Sequence, residues 1–383
     1  MPSYVAVLRA PNVARTFGAA LIGRLSYGIV FLSLVLAVTH ATGSYAMAGT
    51  FTALFGLTSS LLSPLRARLI DRHGLRRALA PMAAGYALAL GVIAAVTVRP
   101  GPAYGRLLIL AVAAGGLTPP LGPVMRALWT ELVSGEELRR RAFSLDTVCE
   151  ELLYVTGPLL AGVFAAVADP ALGVAVSAGL VLLGSLLLAT APVVRKQQRE
   201  AEPVGAARVG FRPVLVAASV GIGLGALSLL LVAFADRERH LAAVAWLEAA
   251  LAVGSVAGGL IYGTIRWRAS GQVRLPLLAL ALGVTLAAAG LAGNLWALAA
   301  LVGVTGVFLS PALTTAYLIA DEAAAPEARV RAGAWVNSGY NLANSLGAAG
   351  IGLLIGRVPL PVCFAATAVP ALAGAALYFR KIV

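Results

Sequence analysis

Three carboxylates fall close together in an otherwise apolar stretch, "FSLDTVCEELLYVTGPLLAG" at 143–162: Asp146, Glu150 and Glu151. Such side chains can carry a proton, hold a cationic group or pair with a guanidinium. A charge at the centre of a lone membrane helix costs about 2.5–3.5 kcal/mol on insertion scales, so each acid needs a partner or a task. Two arginines lie in neighbouring apolar stretches. Arg126 stands as far before residue 136 as Asp146 stands after it, so on antiparallel neighbours the two share a depth. Arg24 follows Arg15 by nine residues, which places it near the depth of Glu150. The expected pairs are therefore Arg126 with Asp146 and Arg24 with Glu150, and Glu151 is left without a cation. A carboxylate in that position can load and release a proton. The competing reading joins all three acids in one ion-pair network that holds helices together.

Helical periodicity sorts the acids onto faces. Asp146, Glu150, Leu153 and Gly157 share one stripe; Thr147, Glu151, Tyr154 and Pro158 share another, about 100° away. At about 1.5 Å per residue, Glu150 and Glu151 lie roughly 13–15 Å beyond Arg141, near the middle of a hydrocarbon core about 30 Å thick. A second polar stripe decides which face is wet. "AWVNSGYNLANSLGAAG" at 334–350 carries Asn337, Asn341 and Asn344 on one face, with Tyr340 beside it. The chain repeats at one constant offset: Gly116, Glu137, Arg139 and Arg141 recur as Gly306, Glu327, Arg329 and Arg331. That offset carries the asparagines onto Thr147, Glu151 and Tyr154. Polar residues in lipid face a cavity or each other. The expected cavity is thus lined by Arg24, Glu151, Tyr154, Asn337, Tyr340, Asn341 and Asn344, while Asp146 and Glu150 point sideways into their own bundle.

Long helices must hold these residues. Of 383 residues, 60% are apolar and 12% charged, about half the charged share of a soluble domain. Apolar segments long enough to span occur near 17–40, 46–65, 78–98, 105–128, 144–168, 171–194, 212–234, 243–265, 275–293, 296–319, 332–355 and 360–379. The expectation is an all-α integral membrane protein with twelve transmembrane helices. The first segment is too long for a cleaved leader and is expected to stay as a span. The only long polar stretch, "RKQQREAEPVGAARVGFR" at 195–212, splits the chain. The expected organisation is a six-helix bundle at 1–194, a cytoplasmic linker at 195–211 and a second six-helix bundle at 212–383, related by a parallel repeat. Such repeats place a substrate site at the midplane between halves.

The net charge of +13 is explained by topology rather than nucleic acid. With both termini cytoplasmic, Arg66, Arg68, Arg72, Arg76, Arg139, Arg140, Arg141, Arg329, Arg331 and most other basic residues fall inside. Only Arg99, Arg106, Arg237, Arg239 and Arg357 fall outside. Cys149 and Cys363 lie in apolar segments, and His40, His73 and His240 are scattered, so neither a disulfide framework nor a metal site is expected. No nucleophile–base pair or phosphate-cradling loop is present, and "GSVAGG" at 254–259 reads as helix packing. An enzyme is not expected, nor is a cofactor.

Charged residues also mark a gate. Glu131 precedes Arg139 by eight residues, and Asp321 precedes Arg329 by the same spacing, which suits an ion pair across each short interhelical loop. Between the second and third segments lies "ARLIDRHGLRRAL" at 67–79. It resembles the signature loop of the major facilitator superfamily, Gly-x-x-x-Asp-Arg-x-Gly-Arg-Arg. Asp71, Arg72, Gly74 and Arg76 match, while Ala67 replaces the first glycine and Leu75 a common basic residue. "TGPLLAG" at 156–162 is similar to the Gly-Pro-x-x-Gly-Gly signature of that superfamily's drug antiporters. Gly157, Pro158 and Gly162 match, and Ala161 departs. The resemblance implies two bundles rocking about a central cavity, a gate at Asp71, export and a monomer in the cell membrane.

The leading functional expectation is a proton-coupled exporter of small amphipathic or cationic molecules, with partners limited to that solute, protons and the lipid bilayer. One rival is an importer or facilitator of a polar or anionic metabolite. A rival of another class is a membrane sensor or scaffold that does not transport.

Overall fold

In a bilayer every backbone N–H and C=O must be bonded within the chain, so continuous apolar segments fold as helices. The computed structural model describes residues 3–99, 101, 103–194 and 210–379. Helices follow one another as α1 (Tyr4–Arg9), α2 (Val13–Thr42), α3 (Tyr45–His73), α4 (Leu75–Thr97), α5 (Tyr104–Leu117), α6 (Leu121–Leu132), α7 (Glu136–Val167) and α8 (Ala171–Ala189). After the linker come α9 (Phe211–Arg237), α10 (Ala243–Thr264), α11 (Gly271–Ala289), α12 (Leu295–Ala323), α13 (Arg329–Leu354) and α14 (Leu360–Phe379). The linker at 195–209 lies outside the described residues, as do Arg195, Lys196, Arg199 and Arg208 within it.

Local chemistry sets the helix ends. Ser44 caps α3 by accepting from the Met47 N–H at 3.2 Å, and Asn294 caps α12 by accepting from Ala297 at 2.8 Å. Gly74 is the single-residue joint between α3 and α4, and its φ of 81° is open to glycine but strained for other residues.

Among the described residues, eleven helical segments are long and apolar enough to cross a membrane, counting α5 and α6 as one. The expected eleventh span, α13, falls outside that set because Arg329, Arg331 and its asparagines lower its hydropathy. Its 26 residues still reach about 39 Å at 1.5 Å each. Span four is not the continuous helix expected at 105–128. It breaks at Thr118-Pro119-Pro120, since neither proline offers an N–H to the preceding turn.

The helices pack as two groups. α2 lies on α7 and α8, α4 on α8, and α3 on α5; beyond the linker, α9 lies on α13 and α14, α10 on α12, and α11 on α12 and α14. Small residues bring backbones together where they cross. Gly28 of α2 and Gly157 of α7 face each other so closely that a Cβ on either would strike the other helix's backbone. At the repeat-related crossing, Gly347 of α13 meets the backbone of Ile222 on α9. Gly162 has open space beside it, so of the glycines in the antiporter-like stretch only Gly157 is a crossing point. The two groups meet through α7 against α10 and α12, and through α3 and α6 against α13. These contacts gather at the end bearing Asp71, Glu131, Arg139 and Arg329.

Candidate functional site

Arg24 of α2, Arg126 of α6, and Asp146 and Glu150 of α7 form one four-charge cluster. Arg24 Nη1 donates to Asp146 Oδ1 at 2.8 Å, and its Nη2 lies 3.1 Å from Glu150 Oε1. Arg126 Nε lies 3.2 Å from Asp146 Oδ2, and its Nη2 pairs with Glu150 Oε2. Trp129 Nε1 adds a bond to Asp146 Oδ1 at 3.3 Å. Arg24, Arg126 and Asp146 are buried, while the Glu150 side chain keeps 19% exposure. The exclusive pairs expected from depth are replaced by a lattice in which each arginine touches both acids. Residues four apart share a helix face, so both carboxylates present themselves to both guanidiniums. Two positive and two negative charges cancel, which is the condition for keeping them out of water.

The cluster reaches across to the second group of helices. The Arg126 guanidinium lies 3.6 Å from the centre of the Tyr317 ring on α12. Tyr317 donates in turn to Asn337 Oδ1 at 3.3 Å. Cation–π stacking thus joins the charges of α7 to the amide stripe of α13. One turn away, Thr314 donates to Thr147 at 3.1 Å, another bond between the groups.

A cavity of about 360 Å³ lies between the groups; of the residues expected to line it, Tyr154, Asn337 and Asn341 are on its wall, and Pro158 joins them. α7 contributes one residue to the wall that was expected to point sideways into its own bundle. Glu150 is on the wall, and Glu151 is half-buried beside it, one turn beyond Thr147 on the side facing the other group. Among the described residues, Glu151 has no hydrogen bond and no cation partner; the nearby charge it feels is that of Glu150. Arg24 is sealed beneath the wall by its two acids. Tyr340 and Asn344 also leave the lining, because their turns of α13 rest by their backbones on Gly221 and Gly225 of α9.

The floor of the cavity holds residues that the sequence reading placed elsewhere. Arg66, assigned to the inner loop, is buried within α3 and faces the cavity. The break after α5 explains why. Pro119 and Pro120 cannot donate to the carbonyls four residues earlier, those of Gly115 and Gly116. Arg66 Nη1 donates to both, at 2.6 and 3.0 Å, and Nη2 donates to Ser59 O at 2.5 Å. Tyr27 donates to the Pro119 carbonyl. The adjacent prolines inside an apolar span were the available signal, since two freed carbonyls require donors.

At the end bearing Arg139 and Arg329, ion pairs close the groups together, but with partners exchanged. Glu131 pairs with Arg329 at 3.3 Å and Arg139 with Glu322 at 3.5 Å, each across the groups instead of within its own loop. Asp321 keeps a 3.8 Å approach to Arg329 and also accepts from Thr130 at 2.7 Å across the seam. The exchange follows from the repeat, because side-by-side halves turn each loop toward the other's. Asp71 accepts from the backbone N–H of Arg331 at 3.3 Å, while Arg72 and Arg76 are exposed. The helix α1 joins this seal: Tyr4 donates to Leu260 O of α10 at 2.6 Å. Burial pushes the Tyr4 hydroxyl up from its ordinary range, against the opposing pull of Arg141, so it remains a donor.

Helices throughout, a sealed end and a polar cavity between two groups define a multi-pass membrane carrier. The family profile of the Major Facilitator Superfamily matches residues 16–277, and the chain belongs to that superfamily. It is a transporter, not an enzyme. Its fold is similar to that of the human organic anion transporter MFSD10 (TETRAN), at a TM-score of 0.74 and 15% identity, covering 97% of this chain and 100% of that one. A bacterial homologue of the iron transporter ferroportin, solved in an outward-facing state with soaked iron, matches at 0.74 and 15%, over 95% and 96% of the two chains. The same homologue in its outward-facing state matches at 0.74 and 14%, over 96% and 98%. At these identities the likeness is one of fold. No curated protein matches the chain.

Proposed function

We propose that the chain exports small amphipathic molecules in exchange for protons, and that Glu151 is the proton site. The carrying observation is the contrast between adjacent acids. Glu150 is held by two guanidiniums and Glu151 by none. Protonating Glu150 leaves two arginines under-paired, whereas protonating Glu151 removes an uncompensated buried charge. Glu151 also lies between the groups, where a change in its charge bears on whether they close. With the Arg-rich end taken as cytoplasmic, the cavity opens outward and the crossed pairs Glu131–Arg329 and Arg139–Glu322 form the inner gate. Exposed pairs of this kind contribute about 0–1 kcal/mol each, weak enough to break and re-form in a rocking cycle. A cationic substrate is less supported than the sequence suggested, because Asp146 and Glu150 already have arginine partners.

The test uses purified protein in liposomes with fluorescent amphipathic dyes of anionic, neutral and cationic type. An imposed pH gradient should drive at least one dye in the wild type and none in Glu151→Gln. Downhill counterflow of that dye should survive the change, since rocking needs only the gates. Retained pH-driven movement in Glu151→Gln, or none in the wild type, defeats the reading; a non-transporting scaffold predicts the second result.

A further inference from the structure

The floor of the cavity carries an unmatched positive charge. The cluster of Arg24, Arg126, Asp146 and Glu150 is neutral as a unit. Arg66 is 5% exposed, lines the cavity and has no carboxylate partner among the described residues. Its three hydrogen bonds go to backbone carbonyls, and its Nε–H has no partner. A guanidinium has five N–H donors, so part of its fork remains unused. A cation held out of water in this way draws an anion when one is offered.

The same break supplies a second source of positive potential. α6 begins at Leu121 beside Arg66, and its N-cap residue, Pro120, has no side chain to cap it. Leu121, Gly122 and Pro123 form part of the cavity wall. Pro120 and Pro123 have no N–H and the Leu121 N–H donates to Pro119 O at 3.0 Å, so this start offers the Gly122 N–H and the positive end of the helix dipole; interrupted membrane helices use such ends to hold anionic groups. Glu150 Oε1 approaches Gly122, but that carboxylate is already neutralised by Arg24 and Arg126. Hydroxyl and amide groups complete the floor: Tyr27, Tyr86, Thr118 and, from the opposite helix, Asn337. Beside them, Ser338 of α13 donates to Ser60 O of α3 at 2.8 Å, so the floor lies at the seam between the groups.

We infer that the transported molecule carries an anionic head, a carboxylate or similar oxyanion, which docks on Arg66 and the N-terminus of α6. The inference rests on reading this cavity as the transport site. The remaining volume and its apolar contacts, among them Phe31 and Phe55, suit an attached hydrophobic body.

Three probes of matched shape test it on the full chain in nanodiscs: naphthoate, its neutral amide, and naphthylmethylamine. Equilibrium binding should favour the acid over the amide by about tenfold or more, the value of one charge-assisted bond. The amine should bind least. Arg66→Gln should erase the preference while leaving amide binding within about twofold, and Arg66→Lys should keep part of it. If Arg66→Gln does not fold, naphthoate should still protect Ser63→Cys from a thiol reagent while the amide does not. Equal binding of acid and amide, a preference for the amine, no saturable binding of naphthoate, or an acid preference that survives Arg66→Gln overturns the inference. Glu151→Gln should retain the acid preference. Failure of proton coupling would then appear only in pH-driven transport, and failure of the anion site only in binding.

Discussion

Replacing Arg126 by alanine leaves the four-charge cluster with a net charge of −1. Asp146 loses its 3.2 Å contact with Arg126 Nε, Glu150 loses its partner at Nη2, and Arg24 must serve two carboxylates. Breaking a buried pair from one side costs about 3–5 kcal/mol. Loss of stacking on Tyr317 adds up to about 2 kcal/mol. Asp146→Ala alone leaves a net charge of +1 and should be similarly harmful. The double variant returns the cluster to neutrality, with Arg24 and Glu150 still 3.1 Å apart. It should be more stable than Arg126→Ala despite lacking one more side chain, with a coupling energy of about 2 kcal/mol or more. The assay is denaturant or thermal unfolding of the four proteins in nanodiscs, with monodispersity after purification as a second reading. Additive losses, or a double variant no better than Arg126→Ala, would refute the charge-cancelling account. The loss of Tyr317 stacking is common to both variants lacking Arg126, so it cannot mimic the recovery.

Two further outcomes follow from the seam and from the orientation. Arg329→Glu should set like charges against Glu131, currently 3.3 Å from Arg329, and open the Arg-rich end. The exchanged pair Glu131→Arg with Arg329→Glu should close it again. A contact worth about 0–1 kcal/mol shifts the population no more than about fivefold, which thiol labelling of Ser60→Cys from that end will measure. Cysteines introduced at 195–212 should be labelled only from the cytoplasm and those at 236–240 only from outside; the reverse pattern would invert the proposed direction of opening.

Much of the architecture was legible because lipid leaves the chain few options. An apolar run must become a helix, and the spans expected at 17–40, 212–234 and 360–379 are found as α2, α9 and α14. Depth arithmetic brought Arg24, Arg126, Asp146 and Glu150 together, because rise along a helix is nearly constant. It could not say which arginine meets which acid, since that depends on helix rotation and tilt. Rotation also explains why Glu150, expected to point sideways into its own bundle, shares the cavity wall with Tyr154 and Pro158 of the neighbouring stripe, while Tyr340 and Asn344 leave it as α13 closes onto α9. The crossed ion pairs were invisible for a related reason. Spacing within a loop identifies residues able to pair, whereas the partner is chosen by how two halves meet.

Arg66 shows where reading charge by topology stops working. A basic residue near the end of a span is ordinarily counted as part of the inner loop, and the positive-inside pattern absorbs it without remainder. The constraint that reassigns it lies in another helix. Pro119 and Pro120 free the carbonyls of Gly115 and Gly116, and a lipid-embedded protein must supply donors for them. Arg66 meets that need with two bonds and is held by a third to Ser59 O of its own helix, so its position is fixed by a structural requirement on α5. A residue fixed for that reason is nevertheless a rigid, buried cation facing a cavity. The same break that recruits Arg66 also creates the N-terminus of α6. One interruption of one helix therefore places both sources of positive potential on the same floor, beside the seam that must open for a solute to pass.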